Sequence, residues 1–289
     1  MPNTSRELSS DDIQKVMATI DIPSCPATVV EAMKEAQKDE PDLTRLAEIL
    51  GNDAGMSAAA LKLANSPLFG SSSRISSVRK AVERMGTQSV VCVVVASALR
   101  ASITGLPAVW IEQFWKRTTL LALASSMIAR RQYGISPDAA YTYALFHDAA
   151  VPLMMRRFPN YGDVLEKCRV DGTMLNDAEE QFFPSTHPVI GSLLVRNWGL
   201  PPILGQAIRF HHEPDAYDLP DRTLPGGALS FIAVTHLAEH LLAEIQGFTD
   251  LEVGQSLYEH AIDYLGLTTG ELDELRNKVI TTIEEFEKG

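Results

Sequence analysis

The residues with the clearest chemical potential lie in Leu145-Phe146-His147-Asp148-Ala149-Ala150. A histidine followed at once by an aspartate, at the end of an apolar helical run, can bring an imidazole nitrogen and a carboxylate oxygen to one point of a core. That donor pair suits a divalent metal. His187 and the doublet His211-His212, followed by Glu213, open or close later helical patterns. The pair alone is a weak signal, but with three more histidines on successive helices it describes a ligand set: His147, Asp148, His187, His211 and His212. The competing reading is structural. His147 would bond a helix-end carbonyl, Asp148 would cap the next helix, and the whole set would be a buried polar network that fixes helix packing.

Other patterns carry less. His236-Leu237-Ala238-Glu239-His240 spells H-x-x-E-H, a zinc-peptidase pattern whose two histidines share a helix face. It lies in the middle of one apolar helix with no third ligand in sight, so His236 is expected to be independent of any metal site. Asn65-Ser66-Pro67 reads as a helix stop. Trp110, Trp115 and Trp198 fall on inward faces and read as core. No glycine-rich phosphate loop, Ser-His-Asp set or Cys-His pair stands out, so no catalytic and no cofactor-binding residue is assigned.

The elements that must position these side chains are helical nearly throughout. Ser10 is set to cap a first helix carrying Ile13, Val16, Met17 and Ile20. Pro23 and Pro26 force an extended connector. A helix with Val30 and Met33 follows, then one capped by Asp42 with Leu43, Leu46, Ala47 and Leu50. Asp53 opens another, with Met56, Ala59, Ala60, Leu63 and Ala64. Ser77 starts a helix that ends at Gly86, and Thr87 starts the next. Its valines, from Val90 to Val95, would favour a strand by propensity alone. Helical neighbours and a helix-to-helix turn at Gly86-Thr87 make it a buried helix. Gly105-Leu106-Pro107 marks a boundary and begins a long helix. Ser136-Pro137-Asp138 combines a cap, a first-turn proline and an acid at the dipole, and opens the helix that ends on His147-Asp148. Shorter helices span 152–158, 161–170 and 176–183. His187 and Pro201 begin two more. After a Pro-, Asp- and Gly-rich stretch at 215–227, an apolar helix covers 228–245, and helices at 255–265 and 271–288 close the chain.

Composition limits the function. The chain has 289 residues, 45% hydrophobic, enough for a sizeable core. Its net charge of −12 opposes phosphate backbones, so nucleic-acid binding is disfavoured. Cys25, Cys92 and Cys168 show neither metal spacing nor a disulfide framework. The N-terminus lacks the basic-then-apolar pattern of a signal peptide. The longest apolar run, Val90 to Leu99, is about half a membrane span. A reducing, cytoplasmic setting away from the membrane is the expectation.

These landmarks in order resemble the HDOD family, the HD-related output domain of bacterial signalling proteins. The resemblance rests on Pro23-Ser24-Cys25-Pro26, Leu46-Ala47-Glu48-Ile49-Leu50 with Asp53, Leu63-Ala64-Asn65-Ser66, and Ile75-Ser76-Ser77-Val78. Further along it rests on Leu145-Phe146-His147-Asp148, Glu180, His187-Pro188-Val189-Ile190-Gly191, Trp198-Gly199-Leu200-Pro201 and His211-His212. It implies an all-α, multi-helix, HD-domain-like bundle preceded by an N-terminal helical lobe. The lobes would be residues 1–105 and 106–245, with 246–289 as C-terminal helices packed on the HD-like lobe. It also implies a stand-alone signal-transduction output or scaffold module acting through contact with a signalling protein partner. The partner would meet the cleft near Asn65-Ser66 and the Val78 helix.

Departures from the HD phosphohydrolases bear on activity. Those enzymes carry a ligand histidine two residues past a tryptophan; here Trp115 is followed by Lys116 and Arg117. Their final aspartate ligand is matched by Glu239, the glycine two past the metal aspartate by Ala150, and the glycine three before His187 by Pro184. A fixed charge at Arg117 opposes a metal beside His147 and Asp148. What survives is the half built from Asp148, His187, His211 and His212. No cofactor is assigned as certain; if one is held it is a divalent metal, iron, manganese or zinc, and it is held weakly. The rival expectation is a metal-dependent phosphohydrolase or phosphodiesterase acting on a cyclic nucleotide or dinucleotide.

Overall fold

The computed structural model describes residues 18–70, 74–246 and 253–288, and among them every regular element is a helix. The first helix expected from the sequence, capped by Ser10, lies outside the described residues apart from its end. The N-terminal half comprises α1 (Ala27–Ala36), α2 (Leu43–Gly51), α3 (Ala54–Ala64), a 3-10 turn at Pro67–Phe69 and α4 (Val78–Ser102). The second half continues with α5 (Ala108–Ala129), α6 (Pro137–Phe146), α7 (Val151–Arg157), α8 (Tyr161–Asp171), α9 (Leu175–Phe182), α10 (His187–Asn197), α11 (Pro202–Phe210) and α12 (Gly226–Gln246). Helices α13 (Gly254–Leu265) and α14 (Thr269–Lys288) follow.

Local chemistry sets these boundaries. The Asp42 carboxylate accepts from the Thr44 amide, the Asp53 carboxylate from Met56 at 2.7 Å, and the Ser136 hydroxyl oxygen from Ala139. Ser77 occupies a cap position but makes no side-chain cap bond. Asn65 ends α3 and also reaches across the following loop: its amide donates to the Ile75 carbonyl at 2.8 Å and its oxygen accepts from the Ile75 amide at 2.7 Å. Gly86, at φ +75°, divides α4 where the sequence placed a helix-to-helix turn; its left-handed backbone favours glycine. The valine run is helical and buried, because α1, α2 and α3 all pack on α4 and leave it little polar face. The expected stripes of the short helices are partly corrected. Val30, Leu43 and Ala59 are exposed, while Val29, Ala32 and Ile49 take the inward places.

Helix α4 also joins the halves through α6, where the Ser89 hydroxyl donates to Asp138 at 2.6 Å. In the second half α5 packs on α6 and α12, α10 on α11, and α11 on α12. The connector before α1 is strapped to this half, since the Trp198 and Asn197 side chains both donate to the Pro23 carbonyl. Helix α14 touches α5 and the 3-10 turn of the first half, burying Leu275, Val279 and Ile283. Among the described residues, α4 and α12 are long and apolar enough to cross a membrane by length and composition. Half of the apolar window of α4 and 78% of that of α12 are buried inside the fold, as in core helices.

One close approach places the site. Helix α10 passes the end of α6 at Gly191, where a Cβ would meet Ile208 Cγ2 at 2.9 Å and the His147 carbonyl at 3.5 Å. The substitution Gly191→Val is therefore expected to destabilise the fold by about 1–3 kcal/mol. Urea unfolding tests this; an unchanged midpoint would mean that α10 can back away freely.

Candidate metal centre

Helix α6 ends on His147, and Asp148 follows in the turn before α7, so both side chains leave the helix end together. His187 opens α10; His211 closes α11 with His212 directly after it. All are buried except His212, which is partly open. The structure thus brings Asp148, His187, His211 and His212 together, one ligand atom from each lying within 4.8 Å of the others. His147 does not join that group directly. It forms a second one with Asp148 and Glu239 of α12. Asp148 lies between the two, with Oδ1 toward His187 and His211 and Oδ2 toward His147 and Arg117.

Hydrogen bonds define the tautomers in the first group. His187 Nδ1 is 2.7 Å from Glu179 Oε2, and a carboxylate only accepts, so Nδ1 carries the proton. His187 Nε2 then turns a lone pair toward Asp148 Oδ1 at 3.5 Å and His212 Nε2 at 3.1 Å. His211 Nδ1 donates to the Ile208 carbonyl at 2.7 Å, which leaves its Nε2 lone pair facing Asp148 Oδ1 at 3.7 Å. Burial, then the neighbouring His212, hold His211 well below the usual imidazole range against the opposing pull of Asp148. His187 Nε2 accepts from His212 Nε2–H, but Asp148 Oδ1 and His211 Nε2 are two acceptors facing one another, buried without a hydrogen-bond partner. Such an arrangement is costly unless a cation satisfies it. Three imidazoles and one carboxylate fit a divalent transition metal.

The second group already has its cations. The Arg117 guanidinium lies 3.4 Å from Glu239 Oε1 and 3.7 Å from Asp148 Oδ2. His147 Nδ1 donates to the Ala144 carbonyl at 2.7 Å, and its Nε2 is 2.9 Å from Asp148 Oδ2 and 3.4 Å from Glu239 Oε1. Burial alone would lower the His147 pKa, but Asp148 and then Glu239 outweigh it and raise it well above the usual range. Burial pushes the Glu239 carboxyl up, with His147 and Arg117 partly opposing. The Arg117 guanidinium thus places a fixed positive charge against both carboxyls of this group, and that charge opposes a metal ion there.

Residues 22–214 match the HDOD domain. The chain belongs to the HDOD family. A protein of Treponema pallidum is 23% identical to it over 197 residues, spanning 66% of this chain and 38% of the relative's own length. Its fold is shared with solved structures. A provisionally assigned phosphohydrolase from Shewanella amazonensis SB2B superposes with a TM-score of 0.73 at 23% identity, covering 97% of this chain and 98% of that one. An HDOD domain protein of unknown function from Geobacter sulfurreducens gives 0.71 at 20%, covering 96% and 97%. A provisionally assigned signal transduction protein from Marinobacter aquaeolei VT8 gives 0.73 at 20%, covering 98% of this chain and 65% of that one. At these identities the likeness speaks to the fold.

Sequence reasoning on the HDOD site missed three partners. The buried acid is Glu179; Glu180, quoted as the landmark, is exposed. Glu179 also accepts from the His187 amide at 2.7 Å and from the Tyr161 hydroxyl. Leu175, Ala178 and Glu179 share the inward face of α9, and that spacing would have selected Glu179. Tyr161 left no signal of its own. His236, expected to be unrelated to the site, donates from Nε2 to the His211 carbonyl at 2.8 Å. The H-x-x-E-H pattern does not converge: Glu239 faces Arg117, and His240 stacks on Tyr258 at 3.7 Å.

Proposed function

We propose that this HDOD chain is a signal-transduction output module that acts through contact with a protein partner, carries one divalent metal at Asp148, His187, His211 and His212, and hydrolyses phosphodiesters poorly or not at all. The observation that carries the reading is Arg117. Its guanidinium stands between Asp148 and Glu239, where the resemblance to HD phosphohydrolases would put a histidine and a second ion. A single metal can lower the pKa of a bound water, but two-metal sites stabilise both the attacking and the leaving oxygen of a displacement. With Arg117 present, only the first of those is on offer. The metal's role is then to tie α6, α10 and α11 together, with Asp148 and the three histidines as its ligands. Iron, manganese and zinc all suit such donors. The proposed partner face is the Asn65-Ser66 loop and the start of α4.

The experiment is to purify the protein, load it with manganese, iron or zinc, and assay hydrolysis of cyclic dinucleotides. Absence of turnover together with recovery of a signalling partner on the native protein supports the reading. Robust turnover favours the alternative, a phosphodiesterase working from the intact half-site with a cyclic nucleotide or dinucleotide as substrate.

The acid behind His187 supplies a second check. Glu179→Gln keeps the shape and an oxygen to accept from His187 Nδ1, but removes the negative charge that raises the basicity of His187 Nε2. Metal affinity is expected to fall about 10- to 100-fold. Competition with a chelator measures it, and an unchanged affinity would mean that His187 is not a ligand.

A further inference from the structure

His211 is held from two sides. Its ring is fixed by the Ile208 carbonyl, and its own carbonyl accepts from His236 Nε2 at 2.8 Å. A carbonyl only accepts, so His236 carries its proton on Nε2 and its Nδ1 is an acceptor. The Tyr217 hydroxyl, 3.0 Å away, is the donor to it. Tyr217 sits in a 3-10 turn, Ala216–Asp218, at the start of the Pro-, Asp- and Gly-rich stretch. Its ring rests on two residues of α13: His260, stacked at 5.6 Å and 17°, and Tyr264, at 5.9 Å. Tyr264 is tied to α12 through the Gly226 carbonyl and the Ser230 hydroxyl, both at 3.0 Å. Apart from Ile208 and His211, these residues lie beyond the 22–214 family match.

We infer that Tyr217 and His236 are positioning residues that transmit the docking of α13 on α12 to His211. With α13 seated, its rings hold Tyr217 in the turn, Tyr217 orients His236, and His236 fixes the backbone from which the His211 imidazole faces Asp148. With α13 lifted, Tyr217 loses two ring neighbours and its hydroxyl meets water, and the far end of the relay loosens. In treating His211 as a ligand the inference rests on the metal reading above; the relay itself is a property of the metal-free protein as well.

Histidine ring NMR of the full-length protein labelled with nitrogen-15 tests it, alongside zinc affinity measured by chelator competition. Tyr217→Phe removes only the hydroxyl. Ala261→Arg places a long charged side chain at a fully buried position of α13 and unseats the helix; Leu257→Ala is the milder version should that chain fail to fold. Each change is expected to shift the His211 ring resonances and to weaken zinc binding about ten-fold. Combining Tyr217→Phe with the α13 variant should cost no more than one alone, because both cut the same path. Unshifted His211 resonances in the α13 variant, or losses that simply multiply, would overturn the relay. If the resonances shift while the unmutated protein takes up no zinc, the relay stands and the metal reading falls.

Discussion

Arg117→His is expected to raise metal content from one ion per chain to two and to switch on phosphodiester hydrolysis. The substitution does two things at one point. It removes a guanidinium that lies 3.4 Å from Glu239 and 3.7 Å from Asp148, and it supplies an imidazole where HD phosphohydrolases have a ligand. His147 then ceases to need its extra proton, because a metal can replace that proton between His147 Nε2, Asp148 Oδ2 and Glu239. Asp148, which belongs to both groups, would be a ligand available to either ion. The control is Arg117→Ala, which removes the charge without adding a donor; it should bind the second ion more weakly than Arg117→His. Elemental analysis and a cyclic dinucleotide assay read the result. Metal content that stays at one per chain in Arg117→His, with no turnover, would show that Arg117 is not what closes this pocket.

Acid should destabilise the metal-free protein well before its carboxylates titrate. His211 and His236 are buried and neutral, with folded pKa values depressed, that of His236 to about 3. A depressed folded pKa means stability that is present above the unfolded value of about 6.5 and is lost as pH falls below it. His236, with its folded value near 3, should by itself remove about 2 kcal/mol between pH 7 and pH 5, and His211 adds to the loss in the same direction. His147 works the other way. Its raised folded pKa gives stability that is already complete below about 6.5 and declines only as pH rises through the folded value, so it does not mask the acid loss in this window. Asp148, held well below the carboxylate range by His147 against the opposing effect of burial, titrates lower still. Urea unfolding at pH 7 and pH 5 tests this, and a flat profile between them would mean that neither histidine is buried neutral.

The helices were legible because each begins and ends on local chemistry. Asp42, Asp53 and Ser136 cap, Gly86 breaks, and prolines exclude continuation. In the valine run context outweighs propensity, and three covering helices are the physical reason. In the site, residues that end helices were visible from sequence, because a histidine at a terminus interrupts an apolar pattern. Residues that act from inside helices were not. Glu179 differs from Glu180 by one position and about 100° of helix, and only the face shared with Leu175 and Ala178 separates them. His236 sits inside an apolar stripe, where its partner, a main-chain carbonyl 25 residues earlier, leaves no mark on the sequence. The sequence groups His147 with the other histidines because it precedes Asp148. Its side chain faces Glu239, and only the crossing of α6 and α12 reveals this.

Metal stoichiometry of the unmutated protein tests the central claim most directly. The chain is reconstituted with excess manganese or iron under anaerobic conditions, desalted, and analysed for metal per polypeptide, beside Asp148→Ala and the double variant His211→Ala/His212→Ala. The prediction is one ion per chain, absent from both variants. Two ions in the unmutated chain, or one that persists in either variant, would contradict it.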